Sequence, residues 1–168
     1  MTIRTRRFLI SGVICTLAAV FGIPLAVADD SAAQAAADVP PVAVEDYNYP
    51  GAADILTTEG IQLKRGDGHV LLVECDTVPD QITVYTIRDD SVGRKGEYCF
   101  QATATTGYLT LELPRVFGLE TGTHPISADL TANGATTTVD VPVDDFESVG
   151  EGVFGGARSV LVEIRVTG

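Results

Sequence analysis

From residue 61 to residue 166 no apolar pattern keeps the period of 3.6 that a packed helix needs. Short segments rich in Val, Ile, Thr, Leu and Tyr alternate instead, with turn residues between them. A chain patterned this way buries its apolar side chains by facing sheet against sheet. The clearest pieces are 81–87, where Ile82, Val84 and Thr86 alternate with Thr83, Tyr85 and Ile87, and 108–113, which alternates up to Pro114. Segments 126–130 and 136–141 flank Ala132-Asn133-Gly134-Ala135. Asn-Gly between two alternating runs is a strong hairpin signal, because both central positions of the favoured turn need positive φ. Segment 70–75 is apolar on both faces until Glu74, which points to a central strand, and 159–166 sets Val160, Val162, Ile164 and Val166 against Glu163 and Arg165. With 61–64 and 97–105, the expectation is an all-β fold: an antiparallel β-sandwich of about eight strands over 51–168. Ala52, Ala53, Ile55 and Leu56 allow one or two helical turns before Gly60 ends them.

What precedes this region reads as an address. Arg4, Arg6 and Arg7 come before an uncharged apolar run from 8 to 27, and Ala26-Val27-Ala28 supplies the small residues of a signal-peptidase site. Residues 1–28 are therefore expected to be a secretory signal peptide. Pro24, the small-residue site and the acidic pair Asp29-Asp30 argue against a retained membrane span, although the run is long enough for one. The order Thr5-Arg6-Arg7-Phe8-Leu9-Ile10 also fits a loose twin-arginine pattern. Residues 29–50, an Ala/Asp tract followed by Pro40-Pro41 and Glu45-Asp46-Tyr47-Asn48-Tyr49-Pro50, read as a flexible Ala/Pro-rich leader.

Removal of 1–28 would change both charge and cysteine arithmetic. Of 11 basic residues three would leave, and none of the 23 acidic ones, so the net charge of -12 would deepen to 8 minus 23, or -15. Such a chain repels nucleic acid and anionic membranes and favours cationic partners. Its remaining basic residues are nearly all Arg, and its Ala, Gly, Val, Thr and Asp usage resembles that of high-GC bacteria. Cys15 would leave with the signal, so that Cys75 and Cys99 form an even pair expected to be a disulfide in an oxidising compartment. Their strand patterns disagree: Cys75 shares a face with apolar Leu71 and Val73 and is expected to point inward, whereas Cys99 shares one with Gln101 and Thr103. A bulge near Cys99, or a bridge at the sheet edge, would reconcile the two.

Recognisable catalytic chemistry is sparse. There is no G-x-S-x-G elbow, H-E-x-x-H or Walker-type loop, and His69 and His124 fall in loop settings. Arg65-Gly66-Asp67 reads as a plain turn. The acidic loops Asp89-Asp90 and Asp144-Asp145 with Glu147 and Glu151 lack the alternating spacing of a calcium loop, so no metal and no cofactor is expected. Tyr85, Phe117 and Phe154 are the candidate ligand-contact aromatics, with Phe154 set in a glycine-rich loop of the kind that often binds. The sequence thus points to a secreted, extracellular, non-catalytic binding or interaction module. Its partner would be an extracellular protein or an envelope polymer, not a nucleic acid. The alternative is a secreted inhibitor presenting loop 88–96 or loop 118–125 to a hydrolase.

Overall fold

A computed structural model describes residues 47–168, which fall within one compact unit; the expected signal peptide, Cys15 and most of the expected leader lie outside the described residues. The strands are β1 (Tyr47–Asn48), β2 (Gln62–Gly66), β3 (Val70–Val73), β4 (Ile82–Thr86), β5 (Glu97–Ala102), β6 (Gly107–Pro114), β7 (Val116–Glu120), β8 (Ile126–Ala132), β9 (Ala135–Val141), β10 (Phe146–Ser148) and β11 (Val160–Val166). One helix, α1 (Ala52–Glu59), precedes β2, and Gly60 closes it in a left-handed conformation by donating to the Leu56 carbonyl. All strand pairs are antiparallel, in a six-stranded sheet ordered β1-β2-β6-β11-β8-β9 and a five-stranded sheet ordered β10-β7-β4-β5-β3. The fold is all-β, as its periodicity indicates. No helix among the described residues is long and apolar enough to cross a membrane.

Both sheets turn their alternate residues into one apolar cluster. Leu109, Leu111, Leu113 and Ile164 enter it from the six-stranded sheet, and Ile82, Val84, Phe100 and Leu119 from the five-stranded one, all without solvent exposure. Each such side chain contributes roughly 1.5–3 kcal/mol through burial. Asn133 and Gly134, at φ 51° and 79°, form the two-residue hairpin turn, with Ala132 opposite Ala135.

Several details depart from the sequence expectation. The described residues hold eleven strands against about eight, and the additions are β1, β7 and β10. β7 is hidden in the sequence because it starts only two positions after Pro114 and contains Gly118. Pro114 ends β6 in one sheet, Val116 begins β7 in the other, and Arg115 alone makes the crossing, at φ 61°. That conformation is uncommon for a residue with a Cβ. It is held by the Arg115 and Val116 N–H groups, which both donate to the Ser159 carbonyl, and by a two-pronged Arg115 contact with Glu151 at 2.8 Å each.

Tyr47 and Asn48, assigned by sequence to the leader, pair with Gly66 and Arg65, so the ordered domain starts before residue 51. Tyr49 then places its hydroxyl 2.8 Å from the Leu72 N–H. This occupies a donor on β3, which is an edge strand and not the central one expected. β11 also departs from simple alternation. A bulge between Leu161 and Glu163 lets Leu161 face the core on one side of it and Ile164 and Val166 on the other, leaving Val160 and Val162 half-buried.

Cys75 and Cys99 are bridged, with their Cα atoms 5.1 Å apart. The bridge lies on the outer side of the five-stranded sheet: Cys99 stands opposite Thr83 and Val73, while its neighbours Tyr98 and Phe100 point into the core. It is Val70 and Leu72 that turn inward on β3, not Leu71 and Val73, so the inward orientation expected for Cys75 is corrected. The two patterns agree without a bulge at Cys99.

Candidate binding surface

The same alternation that sends Ile82 and Val84 into the core sends Thr83 and Tyr85 out of the five-stranded sheet. Across the register, Tyr85 stands opposite Glu97 on one side and Gly118 on the other, and Gly118 in turn stands opposite Ser148. Glycine is required at that point of β7. A Cβ there would approach the Phe146 ring at 2.8 Å and the Tyr85 ring at 3.4 Å. Gly118 is therefore the floor on which two aromatic rings rest, a strand glycine used for close approach.

Three aromatic side chains gather over this floor. The Tyr85 ring centroid is 6.1 Å from that of Phe117 and 5.9 Å from that of Phe146, tilted by 37° and 61° respectively. These are offset and edge-on arrangements in which ring edges meet ring faces. Tyr85 and Phe117 are half-buried, and Phe146 is 47% exposed. Tyr85 and Phe117 were both legible as candidates in the sequence. Phe146 was not, because it sits in an acidic stretch, Asp144-Asp145-Phe146-Glu147, on a strand too short to show a period.

The third sequence candidate, Phe154, stands apart from this cluster. It is fully exposed, and no aromatic ring among the described residues packs on it. Its loop is nonetheless well anchored. Glu151 takes the Arg115 guanidinium and lies 3.5 Å from Arg158, and the Arg115 hydrogen bonds hold its carboxyl below the usual carboxylate range. Gly152 comes so close to the Phe117 carbonyl that a Cβ would overlap it, so the Phe154 loop is seated on the β7 end of the aromatic cluster.

Beside the aromatic rings lies a groove of about 460 Å³. Tyr85, Thr83 and the Cys75–Cys99 bridge line it together with the carboxylates of Asp76, Asp80, Glu97, Glu120 and Asp144. The Tyr85 hydroxyl donates to Glu120 at 2.5 Å. That bond, then burial, then the negative charges of Glu120, Glu97 and Asp76 push the phenol up to about 12. These carboxylates are spread along the groove: among the described residues no group of three or more His, Cys, Asp or Glu is placed to hold a metal ion.

The other features singled out in the sequence are engaged in local structure. Asp67 accepts hydrogen bonds from the His69 and Tyr108 N–H groups, so the carboxylate of Arg65-Gly66-Asp67 is held between its own turn and the start of β6. His69 approaches Thr103 and His124 approaches the Gly168 carbonyl, and neither lines the groove. In loop 88–96, Arg94 is 7% exposed, bonded to the Ile87 carbonyl and paired with Asp89, which also accepts from Ser91. Residues 118–120 of the other candidate inhibitory loop belong to β7, and Thr121 is buried. A larger groove of about 1020 Å³ runs between α1 and the start of β5 and shares Cys75, Asp76, Glu97 and Cys99 with the first; within it Lys95 pairs with Glu59 and Arg88 with Asp90, each at 2.7 Å. Comparison with protein families and with curated proteins finds no match for this chain.

Proposed function

We propose that the chain is an exported, non-catalytic binding module, a β-sandwich that holds a partner against the outer aromatic face of its five-stranded sheet. The observation that carries this reading is the Tyr85, Phe117 and Phe146 cluster, half-open to solvent on β4, β7 and β10 and backed by a glycine that exists to admit it. Aromatic side chains on rigid strands supply contact area at little entropic cost, which is why they dominate binding surfaces. The single apolar cluster fed by both sheets supports the sandwich architecture. The Cys75–Cys99 bridge and the arginine-led apolar run before Asp29 support export, since such bridges persist in oxidising compartments.

A photo-crosslinking amino acid at position 146, compared with one at Thr138 on the opposite sheet, tests the reading in cells that produce the full chain. A discrete crosslinked species from position 146 and none from 138 is expected. Crosslinks from 138 alone, or from neither, would remove the aromatic face as the site. N-terminal sequencing of protein from the culture fluid is expected to begin at Asp29.

A further inference from the structure

Resting on that reading, we infer that the occupant of the aromatic face is a cationic polypeptide segment, one that sets lysine or arginine side chains against Tyr85 and in the groove beside it. Aromatic rings in contact range would serve many partners. What selects among them is the charge left unbalanced around the rings.

The chain has 11 basic residues, of which Arg4, Arg6 and Arg7 precede the described region. Of the other eight, seven are ion-paired to carboxylates outside this groove: Lys64 with Glu112, Arg88 with Asp90, Arg94 with Asp89, Lys95 with Glu59, Arg115 and Arg158 with Glu151, and Arg165 with Asp129 and Glu163. Arg88, Arg94 and Lys95 line the neighbouring larger groove, which shares Cys75, Asp76, Glu97 and Cys99 with this one. The eighth, Arg65, lies on β2 of the other sheet. None of these pairs uses Asp76, Asp80, Glu97, Glu120 or Asp144, the carboxylates that line the groove beside Tyr85. The basic side chains nearest the groove are thus already paired with other carboxylates, and none of these pairs balances the negative charge beside the half-open rings. An anionic or phosphorylated partner would be repelled there, and a neutral one would leave the carboxylates without compensation.

Tyr85 joins the two features. Its hydroxyl gives its hydrogen bond to Glu120, which places a carboxylate at one end of the ring and enriches the ring face that a cation would approach. The Tyr85 phenol is raised first by that hydrogen bond and then by burial, with the negative charges of Glu120, Glu97 and Asp76 adding to both. Arginine suits such a place best, since its guanidinium stacks on a ring while its N–H groups reach a flanking carboxylate.

The test titrates the full chain with a labelled eight-residue peptide alternating Gly and Arg, and with the same peptide carrying citrulline, the uncharged isostere, in place of Arg. The arginine peptide is expected to bind saturably, with amide shifts centred on Thr83, Tyr85 and Glu120, and the citrulline peptide to bind at least about tenfold more weakly. Glu120→Gln and Phe146→Ala should each weaken the arginine peptide severalfold. Asp140→Asn, the same charge change on the outer side of the other sheet, should alter it less than about twofold. Equal binding of the two peptides would overturn the cationic inference, and so would equal losses for E120Q and D140N, which would mean attraction to net charge alone. Failure of both peptides to bind would overturn it too. In each of those cases the crosslink at position 146 decides separately whether the aromatic face is a binding site for something else.

Discussion

On the outer side of the six-stranded sheet, Arg165 reaches Asp129 at 2.5 Å and Glu163 at 2.6 Å, Thr138 donates to Asp129 at 2.6 Å, and Lys64 meets Glu112 at 3.1 Å. On the outer side of the five-stranded sheet the same alternation brings out Tyr85, Phe146, Cys99 and Glu97, and among the described residues no basic side chain pairs with the carboxylates there. One surface closes its own electrostatics across neighbouring strands; the other is covalently pinned, aromatic and uncompensated. A sheet needs only its inner face to fold, so the outer faces are free to differ. On the proposed reading, satisfaction on one side and its absence on the other separates a finished surface from one that awaits a partner.

The largest expected difference between the two sheets is their dependence on the disulfide, which joins residues of the five-stranded side only. Closing the loop between positions 24 apart is worth about 3.5 kcal/mol on the chain-entropy account. Replacing both cysteines by Ala should lower the unfolding free energy in denaturant by about that amount. Hydrogen exchange should also rise first at β3 and β5, whose Val73 and Cys99 are paired, and not at β8 and β9. Uniform loosening of both sheets would show that the bridge acts on the whole unfolded chain without favouring its own side.

A smaller effect is expected where the six-stranded face satisfies itself. Thr138 first, and Arg165 next, hold the Asp129 carboxyl below its ordinary range. A carboxyl depressed on folding adds stability that is fully present above its unfolded value, near 3.9, and is lost as pH falls through the folded value. Asp129→Asn should therefore cost about 1 kcal/mol at pH 7 and progressively less below pH 4, as measured by denaturant midpoints across that range. A cost unchanged down to pH 2 would mean that the hydrogen bond from Thr138 matters and the charge does not.

The sequence made the cleanly alternating strands legible. Ile82 and Val84, Leu109 to Leu113, and the Asn133-Gly134 turn each carry their structure in neighbours two residues apart. The cysteine pair was legible from parity. What escaped depends on neighbours distant in sequence. Gly118 resembles a loop residue until Phe146 is brought across from β10, and Arg115 resembles part of a turn until Ser159 and Glu151 hold its backbone and side chain in place. The face of Cys75 was misjudged because β3 is apolar on both sides, and only its register with β5 says which side is outside. For the same reason Tyr85 and Phe117 could be named singly as aromatics, while their meeting with Phe146 and the carboxylates beside them is a property of strand order.

The smallest stability effect, and the most direct probe of the open face, belongs to Tyr85. Its phenol is pushed up to about 12, chiefly by the hydrogen bond to Glu120. A group raised on folding contributes stability that is fully present below its unfolded value near 10 and disappears as pH climbs through the folded one. Between pH 10 and 12 the native state should therefore resist the ionisation that the unfolded chain undergoes. An ultraviolet titration of the phenolate should show this tyrosine ionising late. Glu120→Gln should move that step down toward 10, with a loss of only a few tenths of a kcal/mol at pH 7, since the pair is solvent-accessible. Asp140→Asn should leave it in place. A bound arginine-bearing segment would pull it the same way as E120Q, because a cation at the ring favours phenolate, so the titration of one hydroxyl reports whether the uncompensated face has found its counter-charge. If E120Q leaves the late step untouched, the hydroxyl is held by burial and the contrast between the two faces loses its electrostatic half.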